Sequence, residues 1–493
     1  MDKLRLRNYR CFDDTGDVEL KPITILLGAN SSGKSSFIKF FPLLQQSLGT
    51  RVNGLFLWDG QYVDFKNFKN TVRNGSGEIT IDYSIGTLEF RNLYAHVIQK
   101  LHNVVVSMTL KEKEDFYDYL KVLEVQYGES TIKYSFNKEG TSCSIEIDGI
   151  KSDRYPKERI ILDTDNNLLP SIRFESASTS FTVNSSLSQM ANSELNSLLG
   201  KEKKTDIDLL IETNNSSLLK INIAKREDEL RKRYPTLSAD SIKEAANVLL
   251  YMYSGLFIGS VNDYFSKMSK QISYVLPLRS IMNRYYRFQN RNVDSIDPDG
   301  DNLAMFYNSL SEKSFEDFNK WLSDIFHFKL SISKSEGHVE MYIEEEGKPQ
   351  RNLVDVGFGF TQILPILTII WWSVYGNKRV RTVPITIAIE QPELHLHPRF
   401  QANFTEMLAN VMIHCKKNSI HIRFIIETHS EVIINKIGQL ISKADGRIGS
   451  DDVNVVLFNA SNEGLNTYVH STHFSENGGL MDWPFGFFAK DVY

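Results

Sequence analysis

Residues Ile23 to Leu27, ITILL, run into Gly28-Ala29-Asn30-Ser31-Ser32-Gly33-Lys34-Ser35 and then into Ser36-Phe37-Ile38-Lys39-Phe40-Phe41. The unbroken apolar run predicts a strand buried on both faces. Phe37, Phe40, Phe41 and Leu44 recur at helical spacing, so a helix comes next, with Pro42 expected to kink it or end its first segment. Between them lies a full G-x-x-x-x-G-K-S. Its glycines let backbone N–H groups turn inward on an anion, and the helix start adds partial positive charge. Lys34 brings an ammonium to terminal phosphates, and the Ser35 hydroxyl can ligate magnesium. Gly28, Asn30, Ser31, Ser32, Gly33, Lys34, Ser35 and Ser36 are therefore the expected phosphate contacts. A plain Gly/Ser turn would need neither the strand before the loop nor the helix after it.

A phosphate cradle needs an acid for its metal, normally at the end of an apolar strand. The segment ITIAIE supplies one in Glu390, the expected magnesium-side carboxylate. Next come Gln391-Pro392-Glu393, with Glu393 as a general base or water-positioning group and Gln391 as the competing water-orienting group, since glutamine cannot accept a proton. His395 and His397 precede Pro398 with no third ligand nearby, which reads as loop polarity.

Positions 34 and 390 of 493 place the two half-sites near opposite ends of the chain, so a large segment is inserted between them. Walker A near the N-terminus and Walker B near the C-terminus resembles the ABC-type ATPase heads of the structural-maintenance-of-chromosomes, recombination-repair and overcoming-lysogenization-defect families. The segment Val356-Gly357-Phe358-Gly359-Phe360-Thr361-Gln362 is similar to their signature, and Glu427-Thr428-His429-Ser430-Glu431 to their switch-histidine segment. The resemblance implies an α/β fold: a split ATPase head with a large mixed α+β insertion. It also implies ATP and Mg2+ as ligands, His429 as γ-phosphate sensor, and Gly357, Gly359 and Thr361 contacting nucleotide in the opposite subunit of a head-to-head dimer. Gln61 stands at a plausible Q-loop position. One departure from the family stands out: the usual Asp-Glu ending Walker B is Glu390-Gln391 here.

EQPELHLHP, ETHSE, YVLPLR (Tyr274 to Arg279) and the terminal Trp483-Pro484-x-Gly486-Phe487-Phe488 together resemble ATPases of bacterial anti-phage modules, such as the PtuA subunit of Septu and the AriA subunit of PARIS. That resemblance implies an ATPase sensor or scaffold that controls a separate nuclease or toxin, with a repair-type DNA clamp as the alternative. The expected organisation is residues 1–105 as the N-terminal ATPase lobe, 106–275 as insertion, 276–475 as the C-terminal lobe and 476–493 as a tail. No Toprim-like nuclease domain is expected after His429.

Apolar residues at 41% and charged residues at 24% match an ordinary globular protein, which argues against intrinsic disorder or fibrous repeats over most of the chain. A net charge of −5 confines any DNA contact to a local patch. Cys11, Cys143 and Cys415 have no C-x-x-C spacing and fit a reducing, cytoplasmic setting. The opening MDKLRLRNYRCF lacks the apolar core of a signal peptide, and ILPILTIIWWSVY, interrupted by Pro365, reads as a buried helix. No membrane association is expected.

Overall fold

The computed structural model describes residues 2–50, 52–73, 75–92, 97–113, 117–151, 159–163, 168–175, 225–233, 235, 238–280, 282–290, 292–335, 337–376, 382–443, 445–460 and 466–482. The Trp483–Phe488 tail and the Ser/Asn-rich 176–224 lie outside the described residues. The chain forms two compact units. One comprises Met1–Asp17, Gln46–Asp59 and Asp64–Lys267; the other comprises Val18–Gln45, Gly60–Val63 and Met268–Tyr493.

The second unit is built on a six-stranded sheet. Its strands in chain order are β1 (Ile23–Gly28), β2 (Ile272–Val275), β3 (Ile385–Glu390), β4 (Ile422–Glu427), β5 (Val453–Ala460) and β6 (Thr467–Thr472). In space the order is β2-β3-β4-β1-β5-β6. The first five are parallel and β6 closes the edge antiparallel to β5. Every residue of β1, β3 and β4 is buried, as a parallel sheet covered on both faces requires. N-terminal β1 thus sits inside a sheet otherwise drawn from the C-terminal half, the α/β arrangement expected of a split head.

The helices that cover this sheet include α1 (Lys34–Ile38), α2 (Phe40–Gly49), α3 (Phe358–Trp371), α4 (Pro398–Lys417) and α5 (Glu431–Ser442). The break between α1 and α2 falls at Lys39. It precedes Pro42, which occupies the first turn of α2, where a missing N–H costs nothing. By length and composition alone, Phe358–Gly376 could cross a bilayer. Its residues Thr361 to Trp371 are buried in the core of the unit, which is what the apolarity serves.

The first unit is an antiparallel sheet. Its strands run in space from Ile150–Lys151 through Cys143–Ile147, Ser130–Phe136, Asp118–Tyr127, Val97–Glu112, Glu78–Asn92 and Lys3–Tyr9 to Phe12–Asp14. The helix Ala239–Ser269 packs on it: Phe257 lies 4.9 Å from Phe90 ring to ring, the Tyr134 hydroxyl donates to the Ser254 carbonyl at 2.8 Å, and the Tyr264 hydroxyl donates to Asp2 at 2.7 Å.

These units depart from the linear boundaries read from sequence. A division at 105 cuts the strand Val97–Glu112, and Lys3–Tyr9 pairs with Glu78–Asn92 in the same antiparallel sheet. The insertion expected to run to 275 ends instead near the close of the helix Ala239–Ser269, at Lys267. Ile272-Ser273-Tyr274-Val275 is instead β2, where β-branched and aromatic side chains suit a buried strand.

Candidate functional site

The loop after β1 has the shape its sequence requires. Gly28 sits at φ 152°, and a Cβ there would collide with the Phe458 carbonyl and with Ser32 Oγ. Gly33, at φ 102°, caps α1. Ala29, Asn30 and Ser31 form an exposed lip, whereas Ser32 and Lys34 are buried. The Lys34 ammonium donates to the carbonyls of Gly28 and Ala29 at 2.7 and 2.8 Å. Burial pushes it below the usual lysine range, and the carboxylates of Glu427 and Glu393 oppose that shift. Ser32 Oγ is buried without a hydrogen-bond partner, as a donor reserved for a ligand would be.

Three carboxylates converge here. Glu390 and Glu427 are register partners at the ends of β3 and β4, and Glu427 is also paired with Leu26 of β1. Ser35 Oγ donates to Glu427 Oε1 and Oε2 at 3.0 and 2.8 Å, and Lys34 Nζ stands 4.0 Å from Oε1. Glu390 Oε1 accepts from the Tyr274 hydroxyl at 2.6 Å. Burial pushes Glu390 up to about 7, against the pull of Lys39 and the Tyr274 hydrogen bond. Burial also raises Glu393 and Glu427. A hydroxyl and carboxylates behind a phosphate loop form an oxygen donor set suited to Mg2+, which is usually held by one or two carboxylates plus substrate phosphates. Among the described residues, here or elsewhere, no group of three or more His, Cys, Asp or Glu is placed to hold a metal ion by itself, so the phosphates would have to complete the donor set.

Glu393 points to the switch segment. Its Oε1 accepts from the His429 backbone N–H and its Oε2 from the Thr428 hydroxyl, both at 2.7 Å. The acid thus fixes the turn that carries His429. Burial first, and then Lys34, lowers the basicity of that imidazole, favouring its neutral form. Gln391 adopts φ 43° and donates its N–H to the Glu427 carbonyl at 2.8 Å, which locks the end of β3 to the end of β4. His397 caps α4 by accepting from the Arg399 N–H at 3.2 Å.

The signature segment meets the Walker B loop. Gly357 takes φ 93° and ψ 161°, a conformation open essentially to glycine, and starts α3. A Cβ on Gly359 would lie 3.5 Å from the His395 carbonyl. The Thr361 hydroxyl donates to the Phe358 carbonyl at 2.8 Å, while Phe358 itself is 61% exposed. Gln61 lies in an exposed turn, and among the described residues no hydrogen bond joins its side chain to the phosphate loop.

Three site residues carry no role in the motif reading: Glu427, Tyr274 and Arg279. The Arg279 Nη2 donates to the carbonyls of Glu390 at 2.8 Å and Gln391 at 3.3 Å, while its Nε and Nη1 are buried without a partner. Burial lowers it to about 10, and the nearby Glu393 and Glu390 act against that. YVLPLR and ETHSE contained these residues, but only the strand order brings them to the loop.

A phosphate loop at the C-terminal end of a parallel sheet, with acids ending two neighbouring strands, defines a P-loop nucleotide-binding unit. The chain belongs to the family described as the AAA ATPase domain, whose model matches residues 1–434. No curated protein matches it significantly. Among solved structures, the SMC head domain from Thermotoga maritima aligns over 95% of this chain and 97% of that one, at 10% identity and a TM-score of 0.34. The Smc head with an extended coiled coil bound to the C-terminal domain of ScpA, derived from Pyrococcus furiosus, covers 96% of both chains at 12% identity and a TM-score of 0.33. A further Smc head, bound to the C-winged helix domain of ScpA, covers 96% of this chain and 98% of that one, also at 12% and 0.33. Superposition this loose carries no functional argument.

Proposed function

We propose that this chain binds and hydrolyses ATP, that two copies close head to head over the nucleotide, and that the cycle holds or releases a separate nuclease or toxin in bacterial anti-phage defence. The observation that carries the proposal is the cluster of Lys34, Ser35 and Glu427 at the loop, with Glu390 at the end of the next strand. Bound Mg2+ would neutralise phosphate charge and orient the terminal phosphate. Lys34 and the loop N–H groups would bind the phosphates, and Ser35 and Glu390 would hold the metal. Glu393 would position water while keeping His429 in place, with Gln391 as the competing water-orienting group. Asn30, Ser31, Ser36 and Gln61 complete the proposed contacts.

Support for the dimer comes from the exposed start of α3. Gly357 and Phe358 face solvent beside exposed Val354, where Thr361 and Gly359 could meet a nucleotide held by a second copy. Mixing Lys34→Ala with Thr361→Arg chains, each inactive alone, should restore part of the activity, because one composite site keeps both an intact cradle and an intact signature. Absence of recovery in demonstrated mixed dimers would contradict this arrangement.

The defence role rests on the likeness of EQPELHLHP and ETHSE to defence ATPases, and the three free cysteines suit a cytoplasmic setting. The chain should co-elute with the product of its neighbouring gene in a nucleotide-dependent manner and should cleave neither DNA nor RNA alone. Intrinsic metal-dependent cleavage would contradict the holder role, and hydrolysis stimulated by DNA with a steep salt dependence would favour the repair clamp.

A further inference from the structure

We infer that Glu427 is a magnesium-side carboxylate, sharing with Ser35 and Glu390 the cation that accompanies ATP. The inference rests on the ATP reading above and adds a residue to it.

Strand order supplies the first argument. β4 lies between β3 and β1, so Glu427 ends the strand adjacent to the phosphate loop, whereas Glu390 ends the strand beyond it. Neighbouring strands are about 4.8 Å apart, which puts Glu427 one strand spacing nearer the phosphates. The second argument is the hydroxyl. Ser35 Oγ, the loop atom whose lone pairs would face a metal, lies within 3.0 Å of both Glu427 oxygens. With no cation between them its proton bridges the two groups; with one, the same oxygens can turn to a hard cation. Third, Glu390 is partly committed elsewhere: its Oε1 accepts the Tyr274 hydroxyl at 2.6 Å. Finally, Gln391 removes one acid from the end of β3, and Glu427, its neighbour across the sheet, supplies one at the end of β4.

A purely structural Glu427 would only brace Ser35 and the start of α1. The two roles separate in how nucleotide affinity responds to the cation. A brace, once lost, weakens binding equally with and without Mg2+; a ligand, once lost, removes only the gain that Mg2+ confers.

The test is equilibrium binding of a fluorescent, non-hydrolysable ATP analogue to the full chain, in EDTA and in Mg2+, for wild type, Glu427→Gln, Glu427→Ala and Ser35→Ala. Mn2+ paramagnetic resonance in the presence of the analogue counts bound metal directly. Glu427→Gln should bind within about twofold of wild type in EDTA, lose at least tenfold of the Mg2+ gain and bind Mn2+ correspondingly less, with Ser35→Ala behaving alike. If circular dichroism shows Glu427→Gln unfolded, Glu427→Ala, which removes the carboxylate altogether, is judged on the same criterion. A full Mg2+ gain in the folded variant overturns the Glu427 assignment alone. Absence of nucleotide binding by the wild type in both conditions overturns the ATP reading beneath it.

Discussion

Removing Glu393 tests whether one acid organises the switch turn. Both its oxygens are engaged, one by the His429 N–H and one by the Thr428 hydroxyl, each at 2.7 Å. Glu393→Ala orphans two donors, and leaving a buried donor unpaired costs about 1–3 kcal/mol. Part of this is returned, because burial already disfavours the Glu393 charge. The net local loss is about 2 kcal/mol, or a roughly 30-fold larger open population of the turn. Glu393→Gln behaves differently. Its amide oxygen can keep the His429 N–H, and its NH2 can donate to Thr428 Oγ1, which already accepts from the Ser430 N–H at 3.0 Å. Hydrogen exchange at the His429 amide reads the difference locally. Protection should fall roughly 30-fold in Glu393→Ala and by only a few-fold in Glu393→Gln. Turnover should fall about 100-fold in both, with nucleotide affinity nearly unchanged, if Glu393 also positions water. Unchanged His429 protection in Glu393→Ala would refute the orienting role.

Other consequences are checked more simply. Arg279→Met should leave the Glu390 and Gln391 carbonyls without their buried donor and lower kcat at least tenfold, with Arg279→Lys recovering only part, because an ammonium lacks the guanidinium fork; steady-state kinetics measure both. Gly357→Ala meets no atom within 4 Å, so its cost is backbone strain alone, about 1–3 kcal/mol; hydrolysis should fall while ATP binding in the same chain persists. In the first unit, Asp118 accepts from the Leu55 N–H at 3.1 Å and the Trp58 indole at 3.0 Å, yet burial pushes it up to about 6 from its ordinary 3.8. A raised folded pKa favours the protonated form, so this contribution is full only well below the ordinary 3.8, declines above it and is lost as pH rises through about 6. Denaturation of wild type should lose about 2 kcal/mol more than Asp118→Asn between pH 4 and pH 7.

The elements that position the site were largely legible, for local reasons. ITILLG and ITIAIE are continuous apolar runs long enough only for buried strands, and G-x-x-x-x-G-K-S imposes its own loop. The α/β class followed from the resemblance to split ATPase heads that these motifs carry. What escaped was set by pairing over long distances. Glu427 belongs beside Ser35 only because β4 inserts between β3 and β1, and no local pattern encodes strand order. Tyr274 and Arg279 reach Glu390 from β2 and the loop after it, and nothing in YVLPLR itself says which strand that segment joins. Lys3–Tyr9 falls inside the 1–105 lobe expected around β1, yet it pairs across about 75 residues with Glu78–Asn92 in a different unit from β1.

Equilibrium binding of MgATP to wild type and Lys34→Ala tests the central claim most directly. The Lys34 ammonium is held at the loop by two carbonyls and is its one buried cation among the described residues. Wild type should bind with micromolar affinity or better, and Lys34→Ala should lose at least 30-fold, about 2 kcal/mol, because no neighbouring charge replaces it. Equal affinity in the two proteins would contradict the account.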